Sequence, residues 1–398
     1  MLYVLPDYYP QFRCTADQCE DTCCAGWQIM IDKQSLRRYK ACRSPYRRRL
    51  FRSVNWRKQC FRQDGEKRCS FLDEQNLCDL YRNLGPESLC RTCRLYPRHI
   101  EEYENVREIS LSVSCPEVAR LLLSRQKPLA FREFYRDREE QYPQFDELFY
   151  GQLVEGRRVM LELFQNRSLS LARRCYLVSV LADKMQDYYQ QGKLFDWPVL
   201  WEQALLESRE DGTSPDLHKE FFALPEAEKN SGENSSQRDW RAGQSVRCYQ
   251  WIRGMVNSLG RFEALKEDWP LWLQETKDWL YQRGYGNYRK ICRDFSQWLE
   301  VHWPDWEIPF EQLQVYFLFT YFCGAVYDEE ILASAQIGIV HSWLIYEMMM
   351  AVWLRNGKEV SLEDLMELVH RYSRELEHSD VNQRKMEQLM QKKKLPWL

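Results

Sequence analysis

Cys14-Thr15-Ala16-Asp17-Gln18-Cys19-Glu20-Asp21-Thr22-Cys23-Cys24 sets four thiols within eleven residues. A second group follows as Cys69-x8-Cys78-x11-Cys90-x2-Cys93, with Cys115-Pro116 after it. Thiolates bind soft or borderline metals when several converge. A C-x2-C pair lets one turn supply two ligands, and distant pairs close the site by folding. Nine cysteines in two dense groups therefore predict a metal or iron–sulfur domain over residues 14 to 115. Structural zinc usually uses two such knuckles. Here there is one, and the single nearby histidine is His99. Iron–sulfur clusters accept more irregular spacing, and four cysteines saturate one cluster. Both metals stay open at this point, as does a second metal.

The rest of the chain frames that domain. It has 398 residues, fifteen cysteines and a net charge of −3. Near-neutral charge argues against a general nucleic-acid binder. Met1-Leu2-Tyr3-Val4-Leu5-Pro6-Asp7 has neither the basic nor the apolar region of a signal peptide. The most apolar stretch, Ile331 to Leu354, is interrupted by Gln336, His341 and Glu347, and reads as a buried helix rather than a membrane span. A cytoplasmic protein without membrane or nucleic-acid partners is expected. Thiols there stay reduced, so a disulfide framework is not. Cys175, Cys248, Cys292 and Cys323 lie scattered and read as small buried apolar side chains.

The expected fold is mainly α: a small cysteine-rich metal or iron–sulfur domain with short strands over 1–125, then a large α-helical region over 126–398. Trp27 to Ile31 and Glu108 to Val113 read as strands, the second with Ile109, Leu111 and Val113 on one face. Asp32 reads as an N-cap, and Pro116 as the first residue of a helix through Leu123. Apolar residues recur at helical spacing through Leu177, Leu181, Met185 and Tyr188. Ser361 with Asp364 predicts a capping box. Residues 207–239, rich in Gly, Ser and Asn, read as a mobile connection. From Arg37 to Arg68 there are thirteen Lys or Arg against Asp64 and Glu66, which makes either a solvated connector or a docking face for an acidic partner. No G-x-G-x-x-G, P-loop or G-x-S-x-G occurs, so any chemistry is expected to centre on the cysteines.

Cys19-x3-Cys23-Cys24, Cys69-x-Phe71-Leu72, Cys78-x2-Tyr81 and Cys93-x2-Tyr96-Pro97 together resemble the zinc- or iron-chelating cysteine domain of bacteria. Asp7-Tyr8-Tyr9, Cys23-Cys24-x-Gly26-Trp27, Ile29-x-Ile31-Asp32, Leu89-Cys90-x-Thr92-Cys93-Arg94-x-Tyr96-Pro97-Arg98 and Ser112-x-Ser114-Cys115-Pro116-Glu117 make the pattern similar to the flagellin lysine-N-methylases. The resemblance covers roughly residues 1 to 125. It implies a bacterial enzyme that methylates lysines of flagellin, with S-adenosylmethionine as donor and a [4Fe–4S] cluster on cysteines. Carried over by residue, the chelating pattern falls on Cys19, Cys23, Cys24, Cys69, Cys78 and Cys93, and the methylase pattern adds Cys90 and Cys115. Cys24, Cys69, Cys78 and Cys93 are the first choice as ligands. Gly26 stands where a radical-type C-x3-C-x2-C would place its third cysteine.

Methyl transfer needs a neutral lysine, and so a desolvated amine or a nearby base. Tyr8, Tyr9, Tyr96 and Tyr103 could face a sulfonium, although packing is the commoner role of such residues. Glu117 could be a base, or a carboxylate placed by the helix dipole. The rival to an enzyme is a non-enzymatic zinc- or iron-binding module with a helical partner-binding arm.

Overall fold

The computed structural model describes residues 1–209 and 235–398, with side chains described outside 210–244. The connection expected at 207–239 falls largely outside the described residues.

Strand β1 (Leu2–Pro6) lies inside a four-stranded sheet of order β4-β5-β1-β6, formed with β4 (Arg98–Tyr103), β5 (Val106–Leu111) and β6 (Phe131–Tyr135). It runs parallel to β5, with Val4 opposite Glu108, and antiparallel to β6, with Val4 opposite Glu133. The cysteine-rich lobe is the excursion between β1 and β4. It contains the two-residue strands β2 (Val54–Asn55) and β3 (Cys60–Phe61), and the short helices α1 (Lys33–Lys40), α2 (Arg47–Ser53), α3 (Asp79–Leu84) and α4 (Arg91–Leu95). Asp32 caps α1 as expected, accepting from Ser35 N.

The strand expected over Trp27 to Ile31 is reduced to one bridge, between Met30 and Cys60. Its partner β3 is only two residues long, so the ladder cannot extend. Ile29 and Ile31 are nonetheless buried in the lobe's own apolar core with Leu50, Phe61 and Phe71. β5 begins two residues before the expected strand. Its neighbours cover both faces, so Glu108 is buried and pairs with Arg157.

The chain is then largely helical: α5 (Pro116–Leu123), α6 (Glu147–Phe164), α7 (Leu171–Gln190), α8 (Trp197–Glu207), α9 (Ser235–Leu259), α10 (Trp269–Tyr281), α11 (Gly284–His302), α12 (Glu307–Tyr321), α13 (Ala325–Asp328), α14 (Ile331–Arg355), α15 (Leu362–Glu377) and α16 (Asp380–Lys392). Pro116 starts α5, and Ser361 with Asp364 forms the expected capping box on α15. β6 interrupts a region read as helical throughout.

α14 is the axis of the body, packed by α7, α10, α12, α15 and α16. By length and composition it could cross a membrane, but it is buried inside the protein. It crosses α12 closely: a Cβ on Gly338 would lie 2.8 Å from Phe317 Cβ. A continuous apolar core runs from Tyr8 and Phe12 through Cys115 to Leu395, separate from the lobe's core.

Candidate metal centre and aromatic cleft

Short turns present the lobe's sulfurs. Cys69 N–H donates to the Cys24 carbonyl at 2.8 Å, and Leu72 pairs with Cys78 across a bridge. Cys78 caps α3, Cys90 caps α4, and Cys93 lies within α4. Backbone amides point at the thiols: Phe71 at Cys69, Leu80 and Tyr81 at Cys78, Thr92 and Cys93 at Cys90. Such donors favour thiolate over thiol.

These five sulfurs act on one another. Burial pushes Cys69 up to about 12, with Cys24, Cys78 and Cys90 adding to the shift. Cys90 and Cys93 share an S–H···S contact of 3.6 Å. Cys24 moves the other way, to about 7, first because the Cys23 thiol bonds to it. A second gathering joins Cys19, Cys23 and Cys115 with Cys14. Burial raises Cys115 to about 11, its sulfur accepts the Val118 and Glu117 amides, and Cys19 and Cys14 push it further up. The eight expected ligands thus divide into Cys24, Cys69, Cys78, Cys90 and Cys93 on one side and Cys19, Cys23 and Cys115 on the other. Cys23 and Cys24 are the hinge between them. Among the described residues, no three His, Cys, Asp or Glu side chains converge closely enough to hold a single metal ion. Among the described residues no disulfide joins the cysteines, and Cys175, Cys248, Cys292 and Cys323 are buried as expected.

Three members of the basic run stitch the lobe. Arg38 donates to the Leu89 carbonyl, Arg49 pairs with Asp79, and Arg68 donates to Asn76 Oδ1. The loop after Cys24 turns at Gly26, whose φ is +89°. A Cβ there would meet the Lys266 side chain at 3.0 Å, and Lys266 Nζ uses that passage to reach Asp21 at 2.7 Å.

Immediately beyond lies a cleft of about 200 Å³ between lobe and helices. Trp27 stacks on His378 at 4.7 Å and stands 5.8 Å from Tyr96. The Trp27 indole N–H donates to the Cys23 carbonyl at 2.7 Å, so this wall is attached to the cysteine loop. Tyr321 of α12, Glu377, the last residue of α15, and Arg98 and His99 of β4 also line the cleft. A hydrogen-bonded chain runs behind it. His378 Nε2 meets Ser114 Oγ at 2.7 Å, Ser114 Oγ meets Ser112 Oγ at 2.7 Å, and Ser112 donates to Glu377 Oε2. Tyr316 O–H donates to the same oxygen at 3.0 Å.

Of the tyrosines singled out in the sequence, Tyr96 lines the cleft, while Tyr8 and Tyr103 are packed in the main core. Tyr9 accepts from Arg98 at 2.8 Å. Glu117, in the first turn of α5, accepts from Arg120 through both oxygens, which fits the dipole role. Glu377 and His378 carried no motif. Their one signal was a carboxylate at a helix C-terminus, where the dipole disfavours negative charge.

A cysteine-rich lobe carried on a large helical body defines the class. The family profile described as the FliB lysine N-methylase C-terminal domain matches residues 157–396, more than half of the chain. The chain belongs to the FliB lysine N-methylase family. The match falls on the helical part, in which no short motif was legible. A lysine-N-methylase of Salmonella typhimurium is 32% identical over 136 residues, which is 32% of this chain and 34% of that protein. The flagellar biosynthetic protein FliU of Salmonella muenchen shows the same identity over 80% of its length, and a lysine-N-methylase of Salmonella choleraesuis over 34%. The aligned part thus spans about a third of the two lysine-N-methylases. No solved structure matches.

Proposed function

We propose that the protein is an S-adenosylmethionine-dependent methyltransferase that N-methylates lysine side chains of flagellin, with a [4Fe–4S] cluster on cysteines of the lobe. Family membership across the helical body carries this reading, and the names of the relatives support its reaction and its flagellar substrate. The donor set fits the cluster. Cys24, Cys69, Cys78 and Cys93 are neighbouring thiols, and amide donors onto Cys69 and Cys78 favour their thiolate forms. A four-iron cluster is also broader than a single ion, so its ligands need not meet at one point. Cys90, bonded to Cys93, is the fifth thiol of that group. When bound, S-adenosylmethionine supplies an activated methyl group on a sulfonium. This chain's own part is to hold the lysine, remove its proton and exclude water, gains that are mainly positional.

The test is anaerobically purified protein incubated with methyl-labelled donor and flagellin. Label on flagellin lysines is expected. A brown, folded, iron-loaded protein that transfers no label supports the non-enzymatic metal module instead.

A further inference from the structure

We propose that the cleft between Trp27, Tyr96, Tyr321 and Glu377 receives the lysine side chain, and that Glu377 Oε1 takes the proton from its ammonium. The inference rests on the methyltransferase reading and assigns its amine site.

Three observations converge. First, Glu377 lines the cleft, and its Oε1, covered in this structure, has no hydrogen-bond partner. Its sister oxygen takes both hydroxyl donors, from Ser112 and Tyr316. The Ser373 hydroxyl lies near the carboxylate but outside hydrogen-bonding geometry. A buried acceptor with an open lone pair is costly unless something uses it. Second, the aromatic walls suit a cation on an apolar stem, and the two basic residues that also line the cleft are engaged elsewhere, Arg98 with Tyr9 and His99 with Glu101. Aromatic faces attract ammonium groups and also accommodate methylenes. The ring stacked on Trp27 is His378, which burial holds at about 3 and therefore neutral. Third, the cleft is where separate sequence signals meet: Gly26-Trp27, Tyr96-Pro97 and Ser112-x-Ser114 come from the lobe and sheet, and Glu377 from the helical body. A second cavity of the same volume, beside Asp21, also has indole walls. There, however, the guanidinium groups of Arg355 and Arg371 already lie over Trp272.

The proton balance is simple. The lysine ammonium, with a pKa near ~10.4 in water, gives H⁺ to Glu377 and becomes a neutral amine. Its lone pair forms the new N–C bond as the methyl C–S bond breaks, and sulfur leaves with that electron pair as a neutral thioether. The product leaves as a methylated ammonium, and Glu377 then gives the captured proton to solvent. Burial raises Glu377, and the Ser112 and Tyr316 hydrogen bonds oppose the rise. The carboxyl is thereby a better proton acceptor than an exposed glutamate.

The experiment compares full-length, iron-loaded wild type with E377Q and E377D. A lysine-bearing peptide and its norleucine twin are titrated calorimetrically, and methyl transfer to flagellin is measured separately. Wild type should bind the lysine peptide at least tenfold more tightly than the norleucine peptide. E377Q should lose that preference and transfer methyl at least a hundredfold more slowly, within the range of a removed general base. E377D keeps the buried charge but withdraws it by one methylene, and should lose at least tenfold in kcat with a smaller change in KM. E377Q within twofold of wild type in both measurements overturns the proposal. If E377Q does not fold, E377D with kcat within twofold of wild type overturns it. A wild type that transfers no methyl group defeats the activity reading, whereas the amine preference and its loss in E377Q decide the site separately.

Discussion

Cys69 is buried among three other sulfurs, Cys24, Cys78 and Cys90, each of which raises its thiol further. Replacing Cys69 or Cys93 with Ser should therefore lower bound iron and loosen the lobe, since metal binding is coupled to folding. Replacing Cys175 or Cys292, buried in the helical core, should leave iron unchanged. Iron measured per protein in the four variants checks the assignment, and equal content in all would refute it. A second residue carries a pH signature. Glu347 is enclosed in α14, accepts from Tyr281 and Tyr288 at 2.6 Å each, and is raised to about 7 by burial. The folded state therefore keeps a proton that the unfolded chain loses near its ordinary value. Its contribution is fully present below about 4.5, falls as pH rises through 7, and is then gone, a change of about 3 kcal/mol at 1.36 kcal/mol per unit. E347Q stays neutral throughout. Urea midpoints should show the variant gaining on wild type from pH 5 to pH 8 and matching it at low pH.

α14 shows what can be read locally. Its apolar run from Ile331 predicted a buried helix, and Ile339 is 1% exposed. Ile339→Asp should cost on the order of 4 kcal/mol, the penalty for an unpaired buried charge. A variant that is soluble with an unchanged urea midpoint would mean that residue 339 does not face the core. The Asp32 cap, the Pro116 helix start and the Ser361–Asp364 box were legible for the same reason: each bonds residues a few positions apart. Sheet order was not. β1 pairs with residues 106 to 108 and 131 to 135, and nothing near Leu2 in sequence specifies those partners. The same limit applies to the site. The thiols announced themselves by density, but the cleft forms where residues 27, 96, 112 and 377 meet, and only the tertiary fold brings Glu377 there.

At the scale of the molecule, lobe and body are joined through Asp21. Arg374 of α15, almost fully buried, pairs with it and donates to the Thr22 carbonyl at 3.1 Å, while Lys266 binds the same carboxylate. Arg374→Met keeps the stem but leaves Asp21 half paired, and should cost about 3 kcal/mol. It should also lower iron content, because residues 21 to 24 lose their hold on the body. A variant with both the wild-type urea midpoint and wild-type iron would show the two parts to be independent here. The sheet imposes an order on assembly. β1 leaves the ribosome before the lobe, yet its neighbours β5 and β6 arrive only with residues 106 to 111 and 131 to 135. The whole lobe, with its own apolar core, emerges while β1 is still unpaired. The lobe can thus gather its own core while β1 waits, and the closing of β5 and β6 on that strand comes after the lobe has formed.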